Sequence, residues 1–264
     1  MAVFLKYEDC AVKINDSGIF ASEATLSMGA NVQVERLVDG SILADSDGEP
    51  RYGATEPLKG QLTLNYYMDD NFSNFFDILS MGEDPVTGNL AGVDIQGMYL
   101  TSTSFAVEPF AAVPMSVTFD VYGPITSSSL AESNVSLTQS ETTLLNGAAS
   151  FVSGSGIDSK IDHVQRFDYS ATAQRTPSYH IGESAPTRVS IDTIEISMSI
   201  DGEKFGDDLS INGNEARLNV TMNDLYNNSV SRQFGCTGRI TNQQLSVSSQ
   251  GYLQGNISVR QAFR

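Results

Sequence analysis

The side chains that could do chemistry are few in this chain and poorly spaced for it. His163 and His180 are its two histidines. Neither has a cysteine or a second histidine at the short spacing that a nitrogen- or sulfur-ligated metal requires. Asp45-Ser46-Asp47-Gly48-Glu49 has the outline of a calcium loop. Such a loop needs glycine at its sixth position and a bidentate glutamate at its twelfth. Pro50 and Glu56 stand there, so only the glutamate fits, and a solvated acidic loop is the simpler reading. Asp69-Asp70, Glu83-Asp84 and Asp207-Asp208 could each supply half of a carboxylate pair for glycoside chemistry. The chain has no tryptophan to serve as a sugar platform, and turns or helix caps account for all three pairs. Gly154-Ser155-Gly156 reads as linker composition, with no strand predicted to lead into it and no phosphate-cradle lysine after it. No Ser/His/acid or Cys/His set stands out. The chain therefore reads as non-enzymatic, with no cofactor and no metal, and a structural role is expected.

Charge narrows the partners. The 264 residues carry a net charge of −17, with five basic against 18 acidic residues up to Gly123 and ten against 14 beyond it. Affinity for nucleic acid comes mainly from Lys and Arg neutralising phosphates, so tight DNA binding is not expected. No apolar stretch approaches the roughly 20 residues that span a bilayer. The start, Met1-Ala2-Val3-Phe4-Leu5-Lys6-Tyr7, lacks a basic region followed by a long apolar core, which predicts no signal peptide, no membrane partner and folding in a cytoplasm. Cys10 and Cys236 then read as free, buried thiols in a reducing compartment.

The elements that would position these residues are strands. Leu26, Met28, Ala30, Val32 and Val34 alternate with polar residues, as do Leu62, Leu64, Tyr66 and Met68, then Val117, Phe119 and Val121. Ile194, Ile196, Met198 and Ile200 follow the same rule, with Leu218, Val220 and Met222 after them. A period of two predicts half-buried strands with one polar face. One helix is predicted: after Asp69-Asp70-Asn71, the residues Phe72, Phe75, Phe76 and Leu79 form an apolar stripe, with Gly82 as its stop. Its counterpart in the second half, 223–233, is shorter and weaker. Between the first two core strands lies an acidic excursion, 36–58, with a hairpin-turn signal at Asp39-Gly40.

The chain also says the same thing twice. Tyr99-Leu100-Thr101, Phe105-Ala106-Val107 and Met115-Ser116-Val117 match Arg239-Ile240-Thr241, Leu245-Ser246-Val247 and Ile257-Ser258-Val259, with a following loop that differs by two residues. Upstream, Leu26-Ser27-Met28 pairs with Ile196-Ser197-Met198, and the strand from Leu64 to Met68 with the one from Leu218 to Met222. The odd step from Leu100 to Phe105, repeated from Ile240 to Leu245, breaks the period and predicts a bulge or tight bend in both halves. So long a period suits a duplicated domain. The predicted organisation is a first β domain at 1–123, a Ser/Thr/Gly-rich connection at 124–162 with room for a strand or two, and a second β domain at 163–264.

The excursion after the first strand, the strand from Leu62 to Met68, the helix at Phe72 to Leu79 and the closing strand pairs together resemble the tail tube (major tail) proteins of long-tailed bacteriophages. The likeness is to the duplicated form, in which two tube domains share one polypeptide, and it covers most of both halves in pattern and order. It implies an all-β fold, a β-sandwich or barrel with a flanking helix, repeated. It also implies rings that close edge to edge and stack into a hollow tube for DNA delivery, in the virion tail, assembled in the bacterial host cytoplasm. Single-domain members form hexagonal rings, so a duplicated chain implies three copies per ring. The implied partners are further copies of the chain and other tail proteins: tape measure, terminator, baseplate and sheath.

Two sets of residues follow as expectations. Ser27, Asn31, Gln33, Thr63, Asn65, Ser116, Thr118, Ser197, Asn219, Thr221 and Ser258 lie on polar strand faces, where so few cations would let DNA pass without adhering. Arg36, Asp39, Asp45, Asp47, Glu49 and Arg51, on the excursion, are expected to touch the next ring. Rival readings are another tail component of the same fold (a terminator, distal tail or baseplate hub protein) and a β-sandwich binding or decorating module. A binding module would call for an aromatic patch with polar rim groups, which the sequence does not clearly show.

Overall fold

The computed structural model describes residues 12–15, 17–19, 21–29, 32–34, 36–39, 41–42, 44, 46–48, 52–54, 59–68, 77–108, 111, 113–127, 144–153, 157–181, 183, 185–204, 215–224, 230–247 and 253–263. In chain order they form β1 (Val12–Ile14), β2 (Ser17–Ile19), β3 (Ala21–Gly29), β4 (Val32–Val34), β5 (Tyr52–Ala54) and β6 (Lys59–Tyr67). A one-turn helix α1 (Ile78–Met81) follows, then β7 (Val86–Leu90), β8 (Val93–Val107), β9 (Pro114–Val121) and β10 (Ile125–Ser127). The remainder is β11 (Leu144–Ser153), β12 (Ile157–Ser178), β13 (Arg188–Lys204), β14 (Glu215–Asp224), β15 (Val230–Ser246) and β16 (Gln254–Phe263). The fold is all-β, as the alternation predicts. All strands except β4 and β5 belong to one antiparallel sheet of 14 strands.

Side-chain period explains the core. Leu62, Leu64 and Tyr66, then Met115, Val117, Phe119 and Val121, then Ile196, Met198 and Ile200, then Ile257 and Val259 are all buried, while the residues between them face the other way. Each such side chain contributes roughly 1.5–3 kcal/mol by leaving water. Most of the buried residues form one continuous cluster that draws on both halves of the chain, and Tyr99, Tyr122 and Val189 form a small second one.

The halves share a plan. In the second, β11, β14, β15, β16, β13 and β12 are successive hydrogen-bonded neighbours, and β12 pairs back onto β11 to close the circuit. In the first, β1, β7, β8, β9 and β6 take the same places. There β2, paired to β1, and β3, paired to β6, together replace the single long β12. Irregularities coincide. The β3–β6 ladder skips Ser22 and the β12–β13 ladder skips Gln165. The β8–β9 ladder skips Thr101 and the β15–β16 ladder skips Thr241. The two threonines even act alike: Thr101 Oγ1 donates to the Thr118 carbonyl at 3.1 Å, and Thr241 Oγ1 to the Ser258 carbonyl at 3.4 Å. The bulge expected from the odd spacing is thus present in both halves.

The ladders correct part of the sequence alignment. Leu100 and Ile240 face Phe119 and Val259 respectively, so Phe119, not Val117, is the counterpart of Val259. Phe105 faces Met115 and Leu245 faces Gly255, which makes the two hairpins equal in length rather than different by two residues. Leu26 faces Leu62 and Tyr169 faces Met198, so β3 corresponds to β12, and β6 to β13. The expected pairing of Leu26 with Ile196 and of Leu64 with Leu218 therefore fails. Strands of period two look identical after a shift of two residues, and partners across the ladder are what separate them.

Three further expectations are revised. The helix spans Ile78–Met81, capped by Asp77, whose Oδ1 accepts from the Leu79 amide at 3.0 Å, and it ends at Gly82, where φ is +57°. Its buried side chains are Ile78 and Met81, whereas Leu79 is exposed, so Leu79 does not belong to the apolar stripe. Phe72, Phe75 and Phe76 lie outside the described residues. In the second half, 223–233 holds the end of β14 and the start of β15. The strand read from Leu26 to Val34 is broken: β3 ends at Gly29, and β4 pairs with β5 in a separate two-stranded arm.

Candidate functional site

Eight strands lie side by side in the order β3, β6, β9, β8, β12, β13, β16, β15. Four come from each half, and the seam is the ladder between β8 and β12, from Val107 opposite Phe167 to Ser102 opposite Thr172. Below the seam the sheet forks, because 93–98 of β8 pairs with β7 and β10 instead.

The seam is bridged by aromatic rings. Phe105 of β8 stacks on Tyr169 at 4.9 Å and meets Phe167 and Phe234 at 5.8 and 4.8 Å between ring centres. Arg175 reaches back from β12: its Nε donates to the Leu100 carbonyl and its Nη2 to the Gly82 carbonyl, both at 2.9 Å, and its guanidinium lies 5.5 Å from the Tyr99 ring centre. Burial pulls the Arg175 pKa down, against the raising influence of Tyr99 and neighbouring acids. Arg188 pairs with Glu83 at 2.9 Å and Arg166 with Glu108 at 2.7 Å, each joining the halves. The hydrogen bond from Arg188, with the Ile191 amide, holds the Glu83 carboxyl below its ordinary range.

One face of the eight strands is mostly polar, with Ala106, Pro114 and Ala262 set among its serines, threonines and charged residues. Antiparallel partners run in rows across it, as in Asn65, Ser116, Ser104, Ser170, Ser197 and Arg260. Thr63 and Thr118 stand in a parallel row, and Ser258 in another with Ser199 and Asp168. Three of the bases on this face are held by acids: Lys59 by Asp120 at 2.7 Å, Arg166 by Asp168, and Arg260 by Glu195. Burial is the largest single influence on the Lys59 ammonium and works against it, but the hydrogen bond and charge of Asp120, together with Tyr122, outweigh it and raise its pKa.

Of the positions expected on a polar face, Ser27, Thr63, Asn65, Ser116, Thr118, Ser197 and Ser258 sit on these eight strands. Asn219 and Thr221 are on β14, which covers β15 over 230–239 and is outside the set. Gln33 is on the arm strand β4, and Asn31 lies outside the described residues. The sequence reading missed Ser102, Ser104, Ser170 and Ser199; the ladder partners were the missing signal.

The set ends in two edges. Among the described residues β3 forms a ladder only with β6, and 242–246 of β15 only with β16. Both edges carry apolar side chains: Met28 is 54% exposed, Leu245 45% and Val247 74%. Both polar side-chain atoms of Gln243 are buried without a hydrogen-bond partner among the described residues.

The excursion forms an arm. Arg36 bridges to Ile42 around a turn in which the Leu37 amide donates to the Ser41 carbonyl, and Asp39 Oδ1 accepts from the Ser41 amide and hydroxyl at 2.9 and 2.6 Å. Those bonds hold the Asp39 carboxyl below its ordinary pKa. Leu37, Val38 and Ile42 are exposed beside the expected contact residues Arg36, Asp39 and Asp47. Asp45, Glu49 and Arg51 lie outside the described residues, as does Cys10. Cys236 is a free buried thiol, its pKa pushed up by burial to about 11. Compared with protein-family models, the sequence matches none, and compared with curated proteins it again matches none.

Proposed function

We propose that this chain is a structural tail tube subunit of a long-tailed bacteriophage. Copies join through their strand edges into rings, and rings stack into a hollow conduit for DNA. The observation that carries the reading is the run of eight strands with a mostly polar face and, among the described residues, an unpaired strand edge at each end. An edge left open invites pairing with another chain, and a ring satisfies every edge at once. The polar face, poor in unpaired cations, suits a lumen wall because it offers phosphates little to grip. Non-enzymatic function, passage of DNA without tight binding and a place in the virion tail belong to the same reading, as do contacts with tape measure, terminator, baseplate and sheath.

The geometry sets a scale. Three copies would supply about 24 strands at ~4.8 Å spacing, which closes at a backbone diameter of roughly 37 Å, and more where the strands tilt. Six copies would double it. Negative-stain electron microscopy of the purified protein is the test, with the mass of isolated rings beside it. Hollow filaments of uniform bore and three chains per ring are expected. A single closed ring that never stacks would assign the chain to a terminator, distal tail or baseplate hub instead, and a persistent monomer would refute the proposal. Removing the arm, 36–58, should leave rings that do not stack; normal tubes from that deletion would show that the arm is not the contact between rings.

A further inference from the structure

We infer that the 242–247 edge of β15 receives β3 of a second copy, antiparallel, with Leu245 opposite Leu26. The inference rests on the premise of the tube reading that copies meet edge to edge, and it adds which edges and which register.

The argument is internal to the chain. β8 and β15 are counterparts, because Leu100 and Ile240 precede the same bulge and face the counterpart residues Phe119 and Val259. β3 and β12 are counterparts, because Ala21 and Val164 precede the same bulge and face Tyr66 and Gly202. Within the chain β12 covers β8, with Tyr169 opposite Phe105, Phe167 opposite Val107 and Ala171 opposite Thr103. Among the described residues, the matching stretch of β15 and the matching strand β3 are the open ends of the eight-strand run. Carrying the seam over residue by residue places Leu26 opposite Leu245, Ala24 opposite Val247 and Met28 opposite Gln243.

The side chains fit that placement. Leu26 is partly buried against the core, as Tyr169 is, and faces inward like Leu245 in the carried-over pair. Met28, Leu245 and Val247, all exposed in the lone chain, would be covered. Gln243 takes the place of the buried Thr103, which explains a polar side chain turned inward with nothing to bond among the described residues: the partner strand's backbone supplies it. The joint is heterologous, so it builds rings or fibres and not twofold dimers.

Cysteine cross-linking tests the register. Leu26→Cys and Leu245→Cys are made in separate Cys10→Ser chains, mixed and mildly oxidised; facing residues of an antiparallel ladder lie within disulfide reach. Thr25→Cys with Ser246→Cys is a second facing pair, at exposed polar positions that the fold tolerates. The expected result is a disulfide dimer in each mixture at tenfold or more the yield of either protein alone, with Ser27→Cys and Leu245→Cys, one step out of register, giving none. Dimers of Leu26→Cys alone would mean that β3 pairs with β3 and would overturn the inference. Tubes or rings that form with neither cross-link would overturn the register and leave the tube reading standing. No assembly and no cross-link would end both.

Discussion

Phe105 and Leu245 occupy corresponding places in the two halves, yet removing their side chains should have very unequal consequences. Phe105 is 5% exposed and touches three other aromatic rings across the seam. Phe105→Ala removes a buried aromatic whose loss costs about 3–5 kcal/mol, part of it from ring pairs worth ~0.5–1.5 kcal/mol each. An expected loss of about 4 kcal/mol is a large share of the stability of a chain this size. Leu245 is 45% exposed, so Leu245→Ala should cost the lone chain no more than ~1 kcal/mol. Urea unfolding of both variants at a concentration where the chain is monomeric measures this, with the m-value as a check that the same surface is exposed. Because one core runs through both halves, the unsubstituted chain should unfold in a single transition. Equal losses for the two variants, or a loss under 1 kcal/mol for Phe105→Ala, would refute the seam as described.

Arg175→Lys should cost about 2 kcal/mol in the same assay, because lysine lacks the planar fork whose Nε and Nη2 reach the Leu100 and Gly82 carbonyls separately; a change within error would show that those bonds contribute nothing. At Gly238 an added Cβ would lie 1.9 Å from the Arg260 carbonyl oxygen. Gly238→Ala should therefore destabilise by about 3 kcal/mol, whereas Gly29→Ala, with open space around it, should be near neutral. Between pH 9.0 and about 11 the folded Cys236 thiol keeps its proton while the unfolded one gives it up. Stability from this group is intact below that window and falls through it by up to ~1.4 kcal/mol per pH unit, so Cys236→Ala should show a shallower alkaline loss. Parallel curves for the two proteins would contradict that burial. In a Cys10→Ser chain, Cys236 should resist a thiol reagent at pH 8 until denaturant opens the core, and prompt labelling of the native chain would count against it.

Local features were legible in the sequence, and long-range ones were not. The alternation at 62–68, 117–121 and 194–200, the bulges after Leu100 and Ile240, and the stop at Gly82 all follow from nearest neighbours and appear as expected. Strand partnership does not. Leu64 and Leu218 carry the same pattern, and only ladders to residues far along the chain show that Leu64 corresponds to Ile200. Part of the Ser/Thr/Gly-rich connection forms β11, which composition left open because its pairing to β14 is a tertiary matter. The polar face was half read: Thr63, Ser116 and Ser197 were visible from alternation alone, while Ser104 and Ser170 emerge only through the ladder that places β8 against β12.

The aromatic packing at the β8–β12 ladder has a mechanical counterpart. Joints inside a chain are tethered covalently and plugged by rings, whereas joints between chains would hold only aliphatic side chains and one glutamine. Stiff and soft hinges would then alternate around the wall. In the proposed ring, bending or ovalisation would concentrate at every second joint, giving an elastic response with half the rotational order of the backbone outline.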